Sequence, residues 1–266
     1  MPLMTRRAWL RLTTCGLAGA TLAARSQAAG IPPVTAFSFV VANDLHYRDG
    51  RCATWLSDVV ASIRALRPKP AFVVLAGDLS EDGQMEQLSA VREIFATLPM
   101  PVRPVIGNHD FTATGEHHAF TGMFGAELNR HFSFRGWQFL TLDTTEGRRV
   151  YRTRISAGTL NWLDRTAPKL HPRVPLAVIT HFPLGRNWLR PTNAAAVLDR
   201  LRPYNLQATL SGHWHGWTER FEKGVPLTTG RCCSWWRRNH DGSDAKGYFF
   251  CHASSRGMTH QFVRVT

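Results

Sequence analysis

Short apolar runs alternate with amphipathic segments between residues 36 and 106. The runs with the length and β-branched content of buried strands are residues 36–42, 71–76 and 102–106. Between them, apolar side chains recur at helical spacing in residues 53–66 and 84–98. This order predicts a β-α-β-α-β unit, because nearly continuous apolar strands separated by helices are typical of a sheet that is covered on both faces.

The remainder of the chain continues this pattern, with more strand than helix beyond about residue 205. Further strand candidates are residues 137–142, 175–180, 207–211, 226–229, 247–252 and 258–265. Further helix candidates are residues 158–166 and 193–202. The pattern predicts a mixed α/β layered fold, in which a functional site is expected where strands end at their carboxyl termini.

Side chains that bind metals follow five of the predicted strands. In chain order they are Asp44 and His46, then Asp78, then Asn108, His109 and Asp110, then His181, and finally His213 and His215. Carboxylate, imidazole and amide oxygen ligands without a thiolate suit Mn, Fe or Zn rather than a structural cysteine-type zinc site. We interpret the D-x-H and H-x-H spacings as extended segments that present two side chains on the same side.

One carboxylate among these residues could bridge two ions roughly 3.5–4 Å apart, which is the separation used in phosphatases and nucleases. Taken in order, the motifs D-x-H, G-D, G-N-H-D, H and G-H-x-H resemble the calcineurin-like metallophosphoesterase family, over residues 44–215. The resemblance implies a four-layer α-β-β-α sandwich of two mixed sheets flanked by helices. It also implies two metal ions per chain, and no other cofactor is expected.

The resemblance assigns a role to each motif residue. One ion is expected on Asp44, His46 and His215, and the other on Asn108, His181 and His213, with Asp78 bridging them. A water between the ions is expected to lose its proton and attack phosphorus. His109 would protonate the leaving oxygen as general acid, and Asp110 would orient His109.

This reading predicts a hydrolase for small phosphate mono- or diesters, but the natural substrate stays open. The Gly77–Ser80 and Gly107–Asp110 segments also look like the branch that contains the class III cyclic-nucleotide phosphodiesterases. A non-catalytic, metal-dependent binding protein on the same fold is another alternative, although an intact His109 argues against it. Arg186, Trp188 and Arg190 follow His181 and would line either the substrate mouth or an ordinary surface.

The net charge of +13 at pH 7 indicates attraction for anions or a soluble basic face. The arginines are scattered and form no basic run with interleaved aromatic residues. The charge therefore does not favour a nucleic-acid-binding protein, and nucleic acid is expected at most as a substrate. A chain of 266 residues suits one large domain.

Residues 1–29 have the features of an export signal. Arg6 and Arg7 resemble the twin-arginine motif, an apolar stretch runs over residues 17–24, and Ser26-Gln27-Ala28 offers a cleavage site. The apolar stretch is too short for a permanent membrane anchor. We therefore expect the twin-arginine export machinery as a partner and a periplasmic or secreted phosphoesterase domain over residues 30–266, with residues 225–266 as a β-rich extension of it.

The cysteines form no metal-binding pattern, because no C-x-x-C pair is present. Cys15 lies in the predicted leader, and the others are Cys52, Cys232, Cys233 and Cys251. One disulfide in an oxidising compartment and reduced core thiols are both compatible with this spacing. The sequence also leaves the oligomeric state and the identity of the metal open.

Overall fold

Two mixed β-sheets and five α-helices make up the part of the chain that the computed structural model describes, residues 31–185 and 188–266. The predicted leader and Arg186 therefore lie outside the described residues. In chain order the strands are β1 (Phe37–Ala42), β2 (Val73–Ala76), β3 (Val102–Val105), β4 (Arg130–Phe134), β5 (Trp137–Leu142), β6 (Leu176–Thr180), β7 (Leu206–Ser211), β8 (Thr218–Glu222), β9 (Val225–Thr229), β10 (Lys246–Ser254) and β11 (Gly257–Val265).

The helices lie between these strands in the chain. They are α1 (Gly50–Ala65), α2 (Met85–Ala96), α3 (His118–Phe124), α4 (Ala157–Thr166) and α5 (Ala195–Leu201). Two single turns of 3₁₀ helix occur at Asn108–Asp110 and Ala167–Lys169. No helix in the described part of the chain is long and apolar enough to cross a membrane.

The strand order confirms the predicted mixed sheets. The first sheet has the order β11-β10-β1-β2-β3, and the second has the order β4-β5-β6-β7-β9-β8. β1, β2 and β3 are parallel, as the predicted β-α-β-α-β unit requires. In the second sheet β5, β6, β7 and β9 are parallel, while β4 and β8 pair antiparallel at the two edges.

Helices cover the outer face of each sheet, which confirms the four-layer sandwich. Helix α1 buries the stripe that includes Leu56, Val59 and Ile63, and this stripe packs in one cluster with Val40 and Leu75 of the first sheet. Leu163 of α4 and Val197 of α5 pack in another cluster with strands of the second sheet. The Asp49 side chain caps α1 by accepting a hydrogen bond from the Arg51 backbone N–H at 3.0 Å.

An aromatic cluster fills the space between the two sheets. Phe37 and Phe39 of β1 lie in one buried cluster with Phe139 of β5 and with Phe72, which precedes β2. The Phe39 and Phe72 rings stack with centroids 5.0 Å apart, and Phe139 meets Phe39 edge-on at 5.4 Å. Because this packing fixes one sheet against the other, it also fixes the loops that follow their strands.

Three elements were not predicted from the sequence. Helix α3 has seven residues, which is too short for a clear helical period. Strands β4 and β8 lie at the edges of the second sheet and have no fully buried position, so polar residues interrupt their apolar pattern. Residues 225–266 are integral to both sheets, because β9 joins the second sheet and β10 pairs with β1 in the first.

The cysteines after the leader carry free thiols. Cys52, Cys232, Cys233 and Cys251 are all buried and unpaired in the structure. The alternative of reduced core thiols, which the sequence left open, is therefore the one that this structure shows.

Replacing Phe139 by alanine is expected to lower the free energy of unfolding by about 3–5 kcal/mol, because it would leave a cavity between the sheets. The side chain is fully buried and lies edge-on to Phe72 at 5.3 Å. Urea denaturation followed by circular dichroism measures the change. Phe221→Ala is the matched control, because Phe221 is 67% exposed on β8, and equal destabilisation by both variants would contradict the proposed core.

Candidate metal centre

The loops that follow five strands bring the metal-binding side chains together. β1 and β2 of the first sheet and β6 and β7 of the second each precede such a loop, and the short turn Asn108–Asp110 follows β3. The seven residues predicted as ligands are at most 7% exposed. They are Asp44, His46, Asp78, Asn108, His181, His213 and His215.

The first group comprises Asp44, His46, Asp78 and His215. Each offers one ligand atom, and these atoms all lie within 4.8 Å of one another. His46 Nε2 is 3.5 Å from Asp78 Oδ2, and His215 Nε2 is 3.3 Å from Asp44 Oδ1. The set has two carboxylates and two imidazoles, which matches the chemistry that Mn, Fe or Zn prefers.

The second group comprises Asp78, His181 and His213, again with ligand atoms within 4.8 Å of one another. His181 Nε2 is 3.3 Å from Asp78 Oδ1 and 3.1 Å from the Asn108 side-chain oxygen. Asp78 thus belongs to both groups and turns a different carboxylate oxygen towards each. The structure brings the predicted bridging residue and both predicted ligand sets into one place.

The histidine rings are held in the orientation that a metal site requires. His46 Nδ1 donates to the Glu81 carboxylate at 2.8 Å, which leaves Nε2 facing the first group. His181 Nδ1 donates to the Ala76 carbonyl at 3.1 Å, and His213 Nε2 donates to the Val150 carbonyl at 3.1 Å. Metal-bound histidines usually donate their second ring N–H in this way, so the residues present fit a metal.

One contact within the first group points to a shared cation. His46 Nε2 and His215 Nε2 approach to 3.1 Å. Each ring already uses its Nδ1 as the donor, towards Glu81 and the Arg238 carbonyl respectively. Burial disfavours the charged form of His215, but Asp44 raises the pKa of His215 well above its usual value, so in the ion-free cluster His215 Nε2 carries a proton that faces Asp44 Oδ1 and His46 Nε2. A cation at this position would take the place of that proton.

The buried charges balance one another within the ion-free cluster. Burial opposes the ionised form of Asp78, but His181, His109 and His46 together hold the pKa of Asp78 well below its usual value. Burial likewise disfavours the charged form of His181, yet Asp78 raises the pKa of His181 to about 9. Burial lowers the pKa of His46 to about 4 and that of His213 to about 3. Bound cations can replace the imidazolium protons that otherwise compensate the carboxylates.

The ligand loops have an unusual backbone, and the extended D-x-H and H-x-H segments predicted from the sequence are wrong in this respect. Left-handed φ values occur at Asp44 (55°), His46 (47°), Asp78 (51°), His213 (65°) and His215 (47°). Non-glycine residues rarely adopt this conformation, and such strain gathers at functional sites. The paired side chains converge because the backbone turns between them.

Two glycines allow the loops to approach closely. A Cβ atom on Gly107 would lie 2.1 Å from the Asp78 backbone nitrogen, and one on Gly77 would lie 2.4 Å from His181 Nδ1. Gly77 also has a φ of +86°. The G-D and G-N-H-D motifs therefore need glycine for space at the centre and not only for a turn.

His109 stands beside the ligand groups with one ring nitrogen available. Its Nδ1 donates to the Glu81 carbonyl at 2.8 Å, and its backbone N–H donates to Asp78 Oδ1 at 2.8 Å. The ring lies 4.7 Å from the His46 ring, and the side chain is 18% exposed. Nε2 is thus left to exchange a proton with a ligand at the centre.

The orienting role expected for Asp110 is not what the structure shows. The Asp110 carboxylate accepts hydrogen bonds from the Ser80 N–H at 2.9 Å, the Ser80 hydroxyl at 3.0 Å and the Gly107 N–H at 2.8 Å. The carboxylate thereby satisfies these buried donors and links the loop of Ser80 to the loop of Gly107. Burial and, after it, the charge of Asp78 raise the pKa of Asp110 to about 7.

Glu81 holds His109 instead, and the sequence reasoning missed it. Its carbonyl accepts from His109, and its carboxylate contacts His46, lies 3.6 Å from His109 Nδ1 and pairs with Arg237. A signal was present, since Glu81 follows Asp78 by three residues in the same loop. Arg237 lies 156 residues further along, so no sequence spacing points to it.

Asn43 is a second residue that the motifs did not indicate. Its amide donates to Asp44 Oδ2 at 2.6 Å and to the carbonyls of Gly230 and Arg231 at 3.3 and 3.2 Å. It therefore links the first ligand loop to the segment after β9 and holds the Asp44 carboxylate in place.

Comparison with known proteins bears on the family and the fold. The model of the Calcineurin-like phosphoesterase family matches residues 37–217. A 3',5'-cyclic-nucleotide phosphodiesterase from Nostoc sp. is 29% identical over 167 residues, 59% of this chain and 60% of that protein. The 3',5'-cyclic adenosine monophosphate phosphodiesterase CpdA from Pseudomonas aeruginosa is 28% identical over 167 residues, again 60% of each protein. The chain thus spans about 60% of the length of these relatives.

A solved structure gives the same fold. A dimetal phosphatase from Danio rerio superimposes with a TM-score of 0.64 at 17% identity, covering 88% of this chain and 100% of that one. At this identity the likeness concerns the fold alone, and it agrees with the layered sandwich described above.

Replacing Asp78 by alanine is expected to reduce the metal content of the purified protein to near zero, because both ligand groups depend on this carboxylate. Elemental analysis of protein reconstituted with Mn²⁺ or Zn²⁺ measures the change, and circular dichroism checks the fold. Asp58→Ala on the exposed face of α1 is the control. Unchanged metal content in Asp78→Ala would show that the two groups do not share a bridging ligand.

Proposed function

The chain belongs to the calcineurin-like phosphoesterase family, and we propose that it hydrolyses small phosphate mono- or diesters with two bound metal ions. The observation that carries the proposal is the pair of ligand groups that share Asp78, with the free Nε2 of His109 beside them. Members of the family use dinuclear metal centres, and these side chains supply donors for two ions.

The donor sets divide between two positions. Asp44, His46 and His215 would hold one ion, Asn108, His181 and His213 the other, and Asp78 both. When bound, the ions supply a water of lowered pKa and neutralise charge on the phosphate oxygens. Oxygen and nitrogen donors without thiolate suit Mn, Fe or Zn.

The protein itself supplies the proton for the leaving group. His109 Nδ1 is fixed by the Glu81 carbonyl, so the ring presents Nε2 to the leaving oxygen in one orientation. The backbone N–H of His109 is held by Asp78, which keeps the ring at a constant distance from the ligand groups. A positioned imidazole of this kind contributes typically about 10²–10⁴-fold to the rate as general acid.

A cyclic-nucleotide phosphodiesterase-like activity is the second candidate. The names of the Nostoc and Pseudomonas relatives support a diester substrate. The export proposed below favours phosphate esters outside the cytoplasm and supports a monoesterase almost as well. Metal analysis combined with a panel of aryl and alkyl mono- and diesters and cyclic nucleotides decides between them. Metal binding without turnover of any ester would instead favour a binding protein.

Replacing His109 by alanine is expected to leave the metal content unchanged and to slow hydrolysis of alkyl esters by about 10²–10⁴-fold. Aryl esters with good leaving groups should lose far less, because their leaving oxygen needs little protonation. Steady-state kinetics on a series of leaving groups measures this split. His118→Ala is the control, since the His118 side chain is 85% exposed, and equal loss on all esters would contradict the general-acid role.

We also propose that residues 1–29 direct export by the twin-arginine route to the periplasm or the outside. The paired Arg6 and Arg7, the short apolar stretch and the lack of acidic residues support this. The route carries folded proteins, which suits a chain that acquires metal in the cytoplasm.

Replacing Arg6 and Arg7 together by lysine is expected to keep the protein in the cytoplasm, although the charge of the segment is unchanged. Fractionation and immunoblotting in a bacterium with an active twin-arginine pathway measure the distribution. Arg11→Lys with Arg25→Lys is the matched control. Normal periplasmic accumulation of the Arg6/Arg7 variant would exclude this route.

A further inference from the structure

Three aromatic side chains contact one another on loops that also carry or contact ligand residues, and we call Tyr151, Trp188 and Trp214 the aromatic rim. The Tyr151 and Trp188 rings stack with centroids 5.5 Å apart and an interplanar angle of 16°. The Trp188 ring meets Trp214 edge-on at 5.7 Å and 80°. The rim joins the loop after β5, the loop after β6 and the loop after β7.

The aromatic rim connects to the ligand residues at two points. Trp214 lies between His213 and His215 in the chain, and its ring stacks on His240, which stacks on His215, at 5.2 and 5.8 Å. Tyr151 directly follows Val150, whose carbonyl accepts from His213 Nε2 at 3.1 Å. The loops that carry Tyr151 and Trp214 therefore contact ligand histidines directly.

The rings of the rim are not core packing. Trp188 is 65% exposed and Tyr151 is 56% exposed, even though they stack on each other. Because Tyr151 and Trp188 stack face to face, they hold each other in place and keep only their outer faces and edges open to a ligand. Exposed apolar surface of this kind marks binding sites when it adjoins a functional cleft.

We propose that the aromatic rim is a subsite for a planar ring carried by the phosphate ester, either an aryl group or a nucleobase. The inference rests on the proposed function, because that function places the phosphate at the metal centre. A planar ring can stack on an outer face of the Tyr151–Trp188 pair whatever its substituents, so stacking selects rings as a class over alkyl groups. The rim thus selects phosphate esters that carry a planar ring, while the metal centre acts on phosphorus.

Trp188→Ala tests the subsite, and Trp188→Phe keeps a ring at the same position. The probes are phenylphosphonate, methylphosphonate and a nucleoside 5'-methylenephosphonate, which are not hydrolysed and bind through the same phosphonate group. Isothermal titration calorimetry on the metal-loaded protein measures their affinities without reference to turnover. Phe221→Ala removes an exposed ring elsewhere and is the control.

We expect phenylphosphonate to bind the parent protein roughly 5- to 100-fold more tightly than methylphosphonate, as stacking of one ring predicts. Trp188→Ala should abolish most of this preference, and Trp188→Phe and Phe221→Ala should keep it. Equal loss for the nucleoside probe would assign nucleobases to the rim as well. A loss confined to phenylphosphonate would assign simple aryl esters.

Two negative outcomes are distinguishable. An unchanged preference in Trp188→Ala, with both phosphonates still bound, would overturn the ring subsite and leave the proposed function standing. Failure of every phosphonate to bind the metal-loaded parent protein would overturn the proposed function and the subsite together.

Discussion

The burial of two carboxylates, Asp44 and Asp78, is the constraint on which the rest of the centre depends. Removing such charges from water costs several kcal/mol for each ion unless partners compensate it. Asp78 meets His46 on one oxygen and His181 on the other, while Asp44 faces His215 and accepts from the Asn43 amide. Without cations the imidazoles must carry the compensating protons. The buried carboxylates are thus compensated without metal, and cations can take the place of those protons.

The rigid sandwich makes this arrangement possible because it fixes the conformation of the ligand loops at several points. Left-handed backbone at several ligand residues costs of order 1–3 kcal/mol each, and it persists only where surrounding structure leaves no alternative. The Phe39–Phe72 stack between the sheets fixes the strands from which the loops start. Gly107 then lets the third loop pass against the Asp78 backbone, and Asp110 ties that loop to Ser80. Packing far from the centre thus holds the ligands at the required distances.

The sequence predicts this fold and centre unevenly, for physical reasons. Buried strands appear as apolar runs, so β1, β2 and β6 and the residues that follow them were found. Edge strands β4 and β8 lack such runs because much of their surface is solvated. The prediction that Asp44 and His46 converge was correct, but the cause is different. The backbone makes a left-handed turn, which the two-residue period of an extended strand does not predict. The Glu81–Arg237 pair depends on a contact across 156 residues, and Asp110 was assigned by resemblance to a ring that it does not touch.

Substrate choice has a different physical origin from phosphate chemistry in this protein. The ligand side chains act on phosphorus and its oxygens, which every phosphate ester shares, so they cannot distinguish one esterified group from another. Discrimination must come from side chains outside the ligand set that are exposed and close to it. Trp188 is exposed, and it contacts the half-buried Trp214, which lies between the two histidines of the H-x-H motif. The two neighbouring ligand histidines fix the backbone of Trp214. Its ring is therefore held in place although it does not itself bind metal.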